Sequence, residues 1–188
     1  MSVQIRIDAD AVREVERKLG QMSNRAPGAI SSALNRTVTS VASNITKEVR
    51  ARYHIKAGDV KNTIKKTKAS KSNLSAEVRS TGSTIPLDKF KVSPKTVNPK
   101  RKTQLKISVE KNGVKQVTGA FVANINGLKV FQRERKSRLP IKRLFGPSVP
   151  QMIGQQQIVE NINEKAVTTY NTRLNHEINR ILQRLGAS

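Results

Sequence analysis

The longest amphipathic pattern of the chain follows Pro27. Its apolar residues recur every three or four positions, which is the period of one face of an α-helix. Proline is also well suited to the first turn of a helix, so the pattern predicts a helix over residues 27–52. The apolar positions are Ile30, Ala33, Leu34, Val38, Val41, Ile45 and Val49.

A second long amphipathic pattern occupies the C-terminal part of the chain. It predicts a helix over residues 155–188, whose other face carries mainly Asn, Gln and Thr. Because its apolar surface is one-sided, we expect this helix to serve as an assembly arm. The apolar positions are Ile158, Ile162, Ala166, Val167, Tyr170, Leu174, Ile178, Ile181 and Leu185.

Between these helices the apolar period changes to two. Apolar and polar residues alternate over residues 74–78 and 105–109, as in half-buried strands. The dipeptide Asn126-Gly127 lies between two apolar runs and is the strongest short signal for a β-hairpin. These patterns predict an antiparallel β-sheet over residues 73–134. Within it, the basic segment 93–104 contains two prolines and is expected to form an exposed arm.

Two shorter elements complete the predicted fold. Alternation over residues 3–7 indicates a strand, and Val60 and Ile64, four residues apart among lysines, indicate a short helix over residues 57–67. The order helix, sheet, helix is typical of an α+β fold, here an antiparallel β-sheet packed with a long helix from the N-terminal half and a long C-terminal helix. We expect residues 1–154 to form one α+β domain.

Positive charge is concentrated in the middle of the chain. The sequence has 36 Lys and Arg against 13 Asp and Glu, a net charge of +23. Residues 28–80 carry +8 and residues 81–150 carry +13, whereas the segments before and after them carry +1 each. Such a charge repels itself in an isolated chain and is tolerated most easily beside an anionic partner.

The sequence offers little for catalysis. Asp88, Glu110 and Glu134 are the only carboxylates between residues 81 and 150, whereas acid–base chemistry usually needs titratable groups that converge in a pocket. His54 and His176 fall on separate predicted elements, and there is no Cys, so metal-ligand spacing is missing. Phosphate-binding glycine motifs are also missing. We expect no enzyme activity, no cofactor and no metal, with both histidines as bystanders.

The sequence also lacks membrane signals. No run of about 18 apolar residues occurs, and the N-terminal residues lack the apolar stretch of a signal peptide. We expect a soluble protein without a membrane partner.

Two basic segments are candidates for anion contact: the arm 93–104 and the stretch 133–143. No sequence-specific DNA-binding motif is present, so the expected contact is with the backbone of double-stranded DNA or with an acidic protein surface. The candidate residues are Lys95, Lys100, Arg101, Lys102, Arg133, Arg135, Lys136, Arg138, Lys142 and Arg143.

The basic stretch is followed by an uncharged, turn-forming segment, residues 145–152. Two interpretations stay open. The segment docks on another protein, or its prolines hold the chain over its own core before the last helix. The candidate docking residues are Phe145, Pro147, Val149, Pro150 and Met152.

Several motifs along residues 30–155 resemble those of one protein family. The stretch GAFVANINGLKVFQRERKSRLPIKRLFGPSVPQMI, residues 119–153, combines a GAF strand, a QR strand end, a basic loop, a Pro-Ile step and a GPSVP segment. Upstream lie the Ala33-Leu34-Asn35-Arg36 element and IPLDKF, residues 85–90. In this order the motifs resemble the minor tail protein Z family of long-tailed bacteriophages, the tail completion proteins.

The resemblance implies a structural virion protein at the head-proximal end, or neck, of the phage tail. It implies roles in head–tail joining and in positioning the DNA for ejection, with assembly in the host cytoplasm. The implied partners are the tail terminator, tail tube and head–tail connector proteins, in a homo-oligomeric ring that matches the six-fold tail. The rival expectation is a free basic nucleic-acid-binding protein, which only the pI of about 11.1 favours.

Overall fold

A computed structural model describes the backbone of residues 2–6 and 9–186 and the side chains of residues 10–184. Ile7 of the predicted first strand and the side chain of Leu185 lie outside this part. Both predicted long helices are confirmed. The helices are α1 (Ala9–Leu19), α2 (Ala26–Arg52), α3 (Ala57–Lys61), α4 (Val149–Ile153) and α5 (Gln156–Gly186), with 3-10 turns at Gly20–Arg25 and Leu87–Lys89.

The strands are short, and every pairing among the described residues is antiparallel. They form four small sheets, ordered β1-β3-β2, β5-β6-β7, β10-β9-β8 and β11-β4, rather than one continuous sheet over residues 73–134. The strands are β1 (Ser2–Arg6), β2 (Ile64–Thr67), β3 (Ser75–Ser80), β4 (Thr84–Pro86), β5 (Lys91–Ser93), β6 (Leu105–Ser108), β7 (Lys115–Val117), β8 (Ala120–Asn124), β9 (Leu128–Arg133), β10 (Ile141–Arg143) and β11 (Phe145–Ser148).

The chain groups into two compact units, each made of segments that are apart in sequence. The first unit consists of the chain up to Thr46, Ile64–Thr81 and the chain from Ile153 onward. The second consists of Lys47–Thr63 and Gly82–Met152. The α+β class is confirmed, whereas the predicted domain boundary after residue 154 stays a prediction.

The first unit contains the helical core. The apolar face predicted for α2 is buried along its length, with Ile30, Ala33 and Leu34 fully inaccessible to solvent. Helix α5 buries the predicted Ile158, Ile162, Ala166, Ile178 and Ile181 and contacts α1. Val167 is an exception, since 61% of it is exposed.

Asn35 links α2 to the segment that follows β2. Its side-chain Nδ2 donates to the backbone oxygen of Ala69 at 3.0 Å, and its Oδ1 accepts from the Ala69 N–H at 2.8 Å. The amide group of Asn35 therefore satisfies both backbone groups of a residue that is only 8% exposed, as buried polar groups require. This interaction gives a physical reason for asparagine in the Ala33-Leu34-Asn35-Arg36 element.

The predicted helix over residues 57–67 is wrong in its second half. Helix α3 ends at Lys61, and the hydroxyl of Thr63 donates to the carbonyl of Val60 at 2.8 Å just after that end. Residues from Ile64 onward form β2, which pairs with β3 in the first unit. The spacing of Val60 and Ile64 fits a helix, but the pairing with β3 decides the conformation, and Ile and Thr are favoured in strands.

The predicted hairpin at Asn126-Gly127 is confirmed. Strands β8 and β9 pair in register from Ala120–Gln132 to Asn124–Leu128. Asn126 and Gly127 both have positive φ, at 51° and 101°, the region that Asn and Gly tolerate best. The hairpin gives β9 a fixed direction, so that the basic stretch after it begins at a defined place.

Substitution of Asn35 tests the link to Ala69. We expect Asn35→Ala to lower the free energy of unfolding by about 1–3 kcal/mol, because it leaves two buried backbone groups without partners. Asn35→Asp keeps an acceptor for the Ala69 N–H but places a carboxylate oxygen against the Ala69 carbonyl, so it should also be less stable than the wild type. Chemical denaturation of the purified chain measures both. Equal stability of the alanine variant and the wild type would contradict this role.

Candidate anion-binding groove

The two basic segments predicted separately meet at one groove in the second unit. The groove has a volume of about 890 Å³ and is lined by the arm after β5, the start of β8 and the chain around the end of β9. Five of the ten predicted anion-contact residues line it together with one carboxylate, that of Glu134. The five are Arg101, Lys102, Arg133, Arg135 and Lys136.

Phe121 forms an aromatic part of the groove wall. It pairs with Phe131 across β8 and β9, with ring centroids 6.3 Å apart. The guanidinium of Arg133 lies 5.7 Å from the centroid of the Phe121 ring, within the range of a cation–π contact. The ring therefore favours one position of an exposed arginine and leaves its N–H donors available for a ligand.

The arm that carries Arg101 is held by its own hydrogen bonds. The guanidinium of Arg101 donates to the carbonyl and hydroxyl oxygens of Thr96, at 2.7 and 2.9 Å. The side chain of Asn98 accepts from the Lys100 N–H at 3.0 Å, and Lys95 donates to the carbonyl of Asp88 at 2.8 Å. The arm is exposed, as predicted, and folded back on itself.

The other five predicted anion-contact residues do not line the groove. Lys100, Arg138 and Lys142 are exposed elsewhere in the second unit. Lys95 is used for the hydrogen bond to Asp88. Arg143 is half-buried and ion-paired inside the unit, so its charge is already matched.

Arg143 and Asp88 form a bidentate ion pair. Arg143 Nη2 donates to both carboxylate oxygens at 3.0 Å, and Nε donates to Oδ1 at 3.2 Å. The side chain of Asp88 is 12% exposed and that of Arg143 is 30% exposed. The guanidinium also lies 5.8 Å from the ring centroid of Phe145. Such planar, charge-assisted pairs are among the stronger polar contacts in proteins, so this arginine stabilises the fold rather than facing a partner.

The segment 145–152 is partly buried in the chain itself. Val149 and Met152 are fully inaccessible, whereas Phe145, at 51%, and Gln151 are exposed. A Cβ on Gly146 would lie 2.9 Å from Cε2 of Phe90, so the backbone approaches that ring more closely than any side chain permits. Val149 and Met152 therefore belong to the interior. This burial supports the interpretation that the segment holds the chain over its own core.

A reciprocal cap then turns the segment into α4. The Ser148 N–H and hydroxyl donate to Oε1 of Gln151 at 2.8 and 3.0 Å, and the Gln151 N–H donates back to the Ser148 hydroxyl at 3.3 Å. This is a capping box, and Pro150 falls in the first turn, where a helix tolerates proline. The S-x-x-Q spacing is a sequence signal for this helix start. Docking through Phe145, Pro147 and Pro150 stays a prediction.

The described part of the chain contains neither a cluster of metal ligands nor a membrane-spanning helix. Within it, no three side chains of His, Asp or Glu are grouped as metal ligands. No helix in this part combines the length and the apolar composition needed to cross a bilayer.

Comparison with protein families decides the assignment. The model of the prophage minor tail protein Z family matches residues 10–186, which is nearly the whole described chain. The chain belongs to the prophage minor tail protein Z family. Comparisons with curated proteins and with solved structures found no match.

Membership in the minor tail protein Z family makes this a structural protein of the phage tail. The match extends through α5, beyond the 30–155 region in which the sequence motifs resemble the family. The groove and the Asp88–Arg143 pair are therefore features of a tail component. Phe121 is the groove residue that the sequence prediction missed, although its place in the GAF motif beside the basic stretch is a usable signal.

The two roles of the basic residues are separable by mutation. We expect Arg143→Gln to lower the free energy of unfolding by about 1–3 kcal/mol, because Asp88 loses its charge-assisted partner. Arg135→Gln removes the same charge from an exposed position and should change stability by less than about 0.5 kcal/mol. Thermal or urea denaturation of both variants measures the difference. Similar destabilisation of both would contradict the assignment of Arg143 to the fold.

Proposed function

We propose that this minor tail protein completes the head-proximal end of the phage tail, where it helps the head to join and the DNA to be seated correctly. The role is structural, without catalysis. The observation that supports it is the groove of the second unit, in which cationic side chains from two segments converge in a protein of the phage tail. The groove supplies a surface for the backbone of double-stranded DNA.

Phosphate binding is the chemistry that suits the groove best. Its lining has five Lys and Arg side chains and one carboxylate, and Lys and Arg are the side chains that neutralise phosphates. The groove residues lie on a strand end, a loop and an arm, and no described helix of the second unit presents a row of side chains to read base edges. Binding would therefore follow the DNA backbone without sequence preference.

We propose further that the chain forms a homo-oligomeric ring that matches the six-fold tail. Duplex DNA carries one charge per about 1.7 Å of axis, so a ring on the order of 40 Å tall encloses roughly 24 phosphate charges. Six copies at +23 each exceed that several times over. In such a ring most basic residues face other proteins, counterions or solvent. The proposed protein neighbours are the tail terminator, the tail tube and the head–tail connector.

The first test measures how DNA affinity depends on salt. The substitutions Arg133→Gln, Arg135→Gln and Lys136→Gln together should weaken binding to a duplex of unrelated sequence. They should also reduce the slope of log K against log [salt] by roughly 0.9 for each phosphate that is no longer neutralised, up to about 3. Fluorescence anisotropy at several salt concentrations gives the slope.

A matched control removes the same charge elsewhere. Lys65, Lys66 and Lys68 are exposed lysines of the first unit, and their joint replacement by Gln lowers the net charge equally. This control should retain most of the wild-type slope. A slope reduced equally in both triple variants would assign the binding to net charge alone and remove the groove from the proposal.

The second test locates the protein in the particle. A gold label on the C-terminus of the chain should appear in electron micrographs at the end of the tail that meets the head. Particles assembled without the protein should show fewer joined heads and tails. A label at the distal tip or along the tube would overturn the proposed position, and absence from purified virions would favour the rival free nucleic-acid-binding protein.

A further inference from the structure

A second basic cavity of the second unit lies beside the C-terminal end of α2. It is a cleft of about 350 Å³ around His54 and shares no lining residue with the groove. The sequence motifs did not single it out, because its residues come from three separate segments. The cations that line it are Arg50, Lys56, Lys89, Lys91 and Lys111.

Backbone pairing fixes the centre of the cleft. Tyr53 and Glu110 form an antiparallel bridge, flanked by hydrogen bonds from the His54 N–H to the Val109 carbonyl at 2.9 Å and from the Lys111 N–H to the Arg52 carbonyl at 2.8 Å. Pairing of β5 with β6 adds Lys91 from the neighbouring strand. His54, Lys91 and Lys111 are therefore held together by main-chain hydrogen bonds, although Lys91 and Lys111 are themselves exposed.

The positive charge of the cleft is mostly unmatched. Lys89 is paired with Asp59, and the nearby Glu110 is 3.6 Å from Arg52. Among the described residues, the cleft lining contains no carboxylate, and neither Lys91 nor Lys111 has a carboxylate oxygen within 4.0 Å. Cations held together without counter-charge raise the local positive potential, which an anionic ligand would relieve.

Three buried side chains lie behind the cations of the same cleft. Tyr53, Ile55 and Phe90 line it and are each less than 9% exposed. They present little surface to a ligand, so the cationic side chains make up most of what a ligand would meet. This arrangement suits a flexible acidic side chain, whose carboxylate reaches the lysines.

We propose that the His54 cleft binds carboxylates of an acidic protein segment and that His54 takes up a proton from solvent as the segment binds. A duplex fits this cavity poorly, because its phosphates lie on a stiff helical surface, whereas a cleft of about 350 Å³ admits only a few side chains. The inference goes beyond the proposed function and does not depend on it.

The charges around His54 explain the coupling to protons. Partial burial, and then the charges of Lys91 and Lys111, lower the pKa of His54 below its usual value. Arg50, Lys56 and the Asp59-paired Lys89 also line the cleft. Burial, and then the charge of Glu110, raises the pKa of Tyr53, so that Tyr53 stays neutral near pH 7.

The sign of the pH dependence follows from these charges. A bound carboxylate opposes the lysines and raises the pKa of His54, so the complex binds more protons than the free protein in the range between the two pKa values. By linkage, affinity increases as pH falls through that range. The acidic segment keeps its own charge well above the usual Glu pKa of about 4.3, so the titration of His54 is separate from protonation of the segment.

The experiment follows the imidazole signals of the full-length protein by NMR, with a hexaglutamate peptide as probe. His54 is assigned from the spectrum of His54→Gln, and His176 serves as the internal reference. We expect saturating hexaglutamate to raise the pKa of His54 by about one unit, which corresponds to about tenfold tighter binding to the form with protonated His54 than to the form with neutral His54.

Paired variants separate the cleft from overall charge. Lys91→Gln with Lys111→Gln should remove the peptide-induced shift. Lys100→Gln with Lys142→Gln, two exposed lysines outside both cavities, should retain it. Circular dichroism checks that both pairs fold, and the wild-type titration alone tests the proposal if the first pair does not.

Three results would overturn the inference. They are an unchanged His54 pKa in saturating peptide, an equal response of the two paired variants, and a larger shift with a 12-base-pair duplex than with hexaglutamate. The readout is the His54 signal and not DNA affinity. The proposed DNA groove can therefore fail while this site stands, and the reverse also holds.

Discussion

The scarcity of negative charge in the second half of the chain constrains the rest of the structure. Between residues 81 and 150, three carboxylates accompany sixteen Lys and Arg side chains. Each carboxylate has a defined place: Asp88 binds Arg143, Glu110 lies beside Arg52 and Tyr53, and Glu134 lines the groove. Most of the cations in this range are left without carboxylate partners. They have to stay at the surface, because burial of an unpaired charge is very costly.

Short strands suit this constraint. A strand of three to six residues buries one or two apolar side chains and leaves its ends and connections for lysine and arginine. In β6, for example, Leu105 and Ile107 are buried while Lys106 between them is exposed. The cations therefore project from the edges and ends of small sheets, where neighbouring segments bring several of them to one cavity. Main-chain hydrogen bonds fix the backbone positions of these Lys and Arg residues, since few carboxylate partners are present to do so.

The two basic cavities of the second unit have similar charge but differ in shape. The difference in shape bears on which anionic ligand each cavity suits. The groove is large, is lined by extended segments and includes a cation–π contact between Arg133 and Phe121. The cleft is smaller, contains a histidine and has no carboxylate among its described lining residues. A long polyanion fits the first, and a single acidic side chain with its neighbours fits the second. The two surfaces therefore correspond to two separate proposals, one for DNA and one for an acidic protein segment.

Elements with local signals could be predicted from the order of the amino acids. The apolar period of α2 and α5 and the Asn126-Gly127 turn were predictable, because the side chains concerned lie within a few residues of one another. The exposed arm of residues 93–104 was predictable for the same reason. The family resemblance also rests on short motifs in a fixed order. Signals of this kind depend only on residues that are close together in the sequence.

Which residues share a surface became clear only from the folded chain. Ile64 joined a strand instead of a helix because β3 offers it a hydrogen-bonding partner. Arg143, predicted to contact an anionic partner, is bound by Asp88, 55 residues away, and Val149 and Met152, predicted to dock on another protein, are interior residues. His54, interpreted as a bystander, gained Lys91 and Lys111 as neighbours through pairings with segments that are distant in sequence. Charge pairing and burial depend on distances in space, and those distances exist only after the strands have paired.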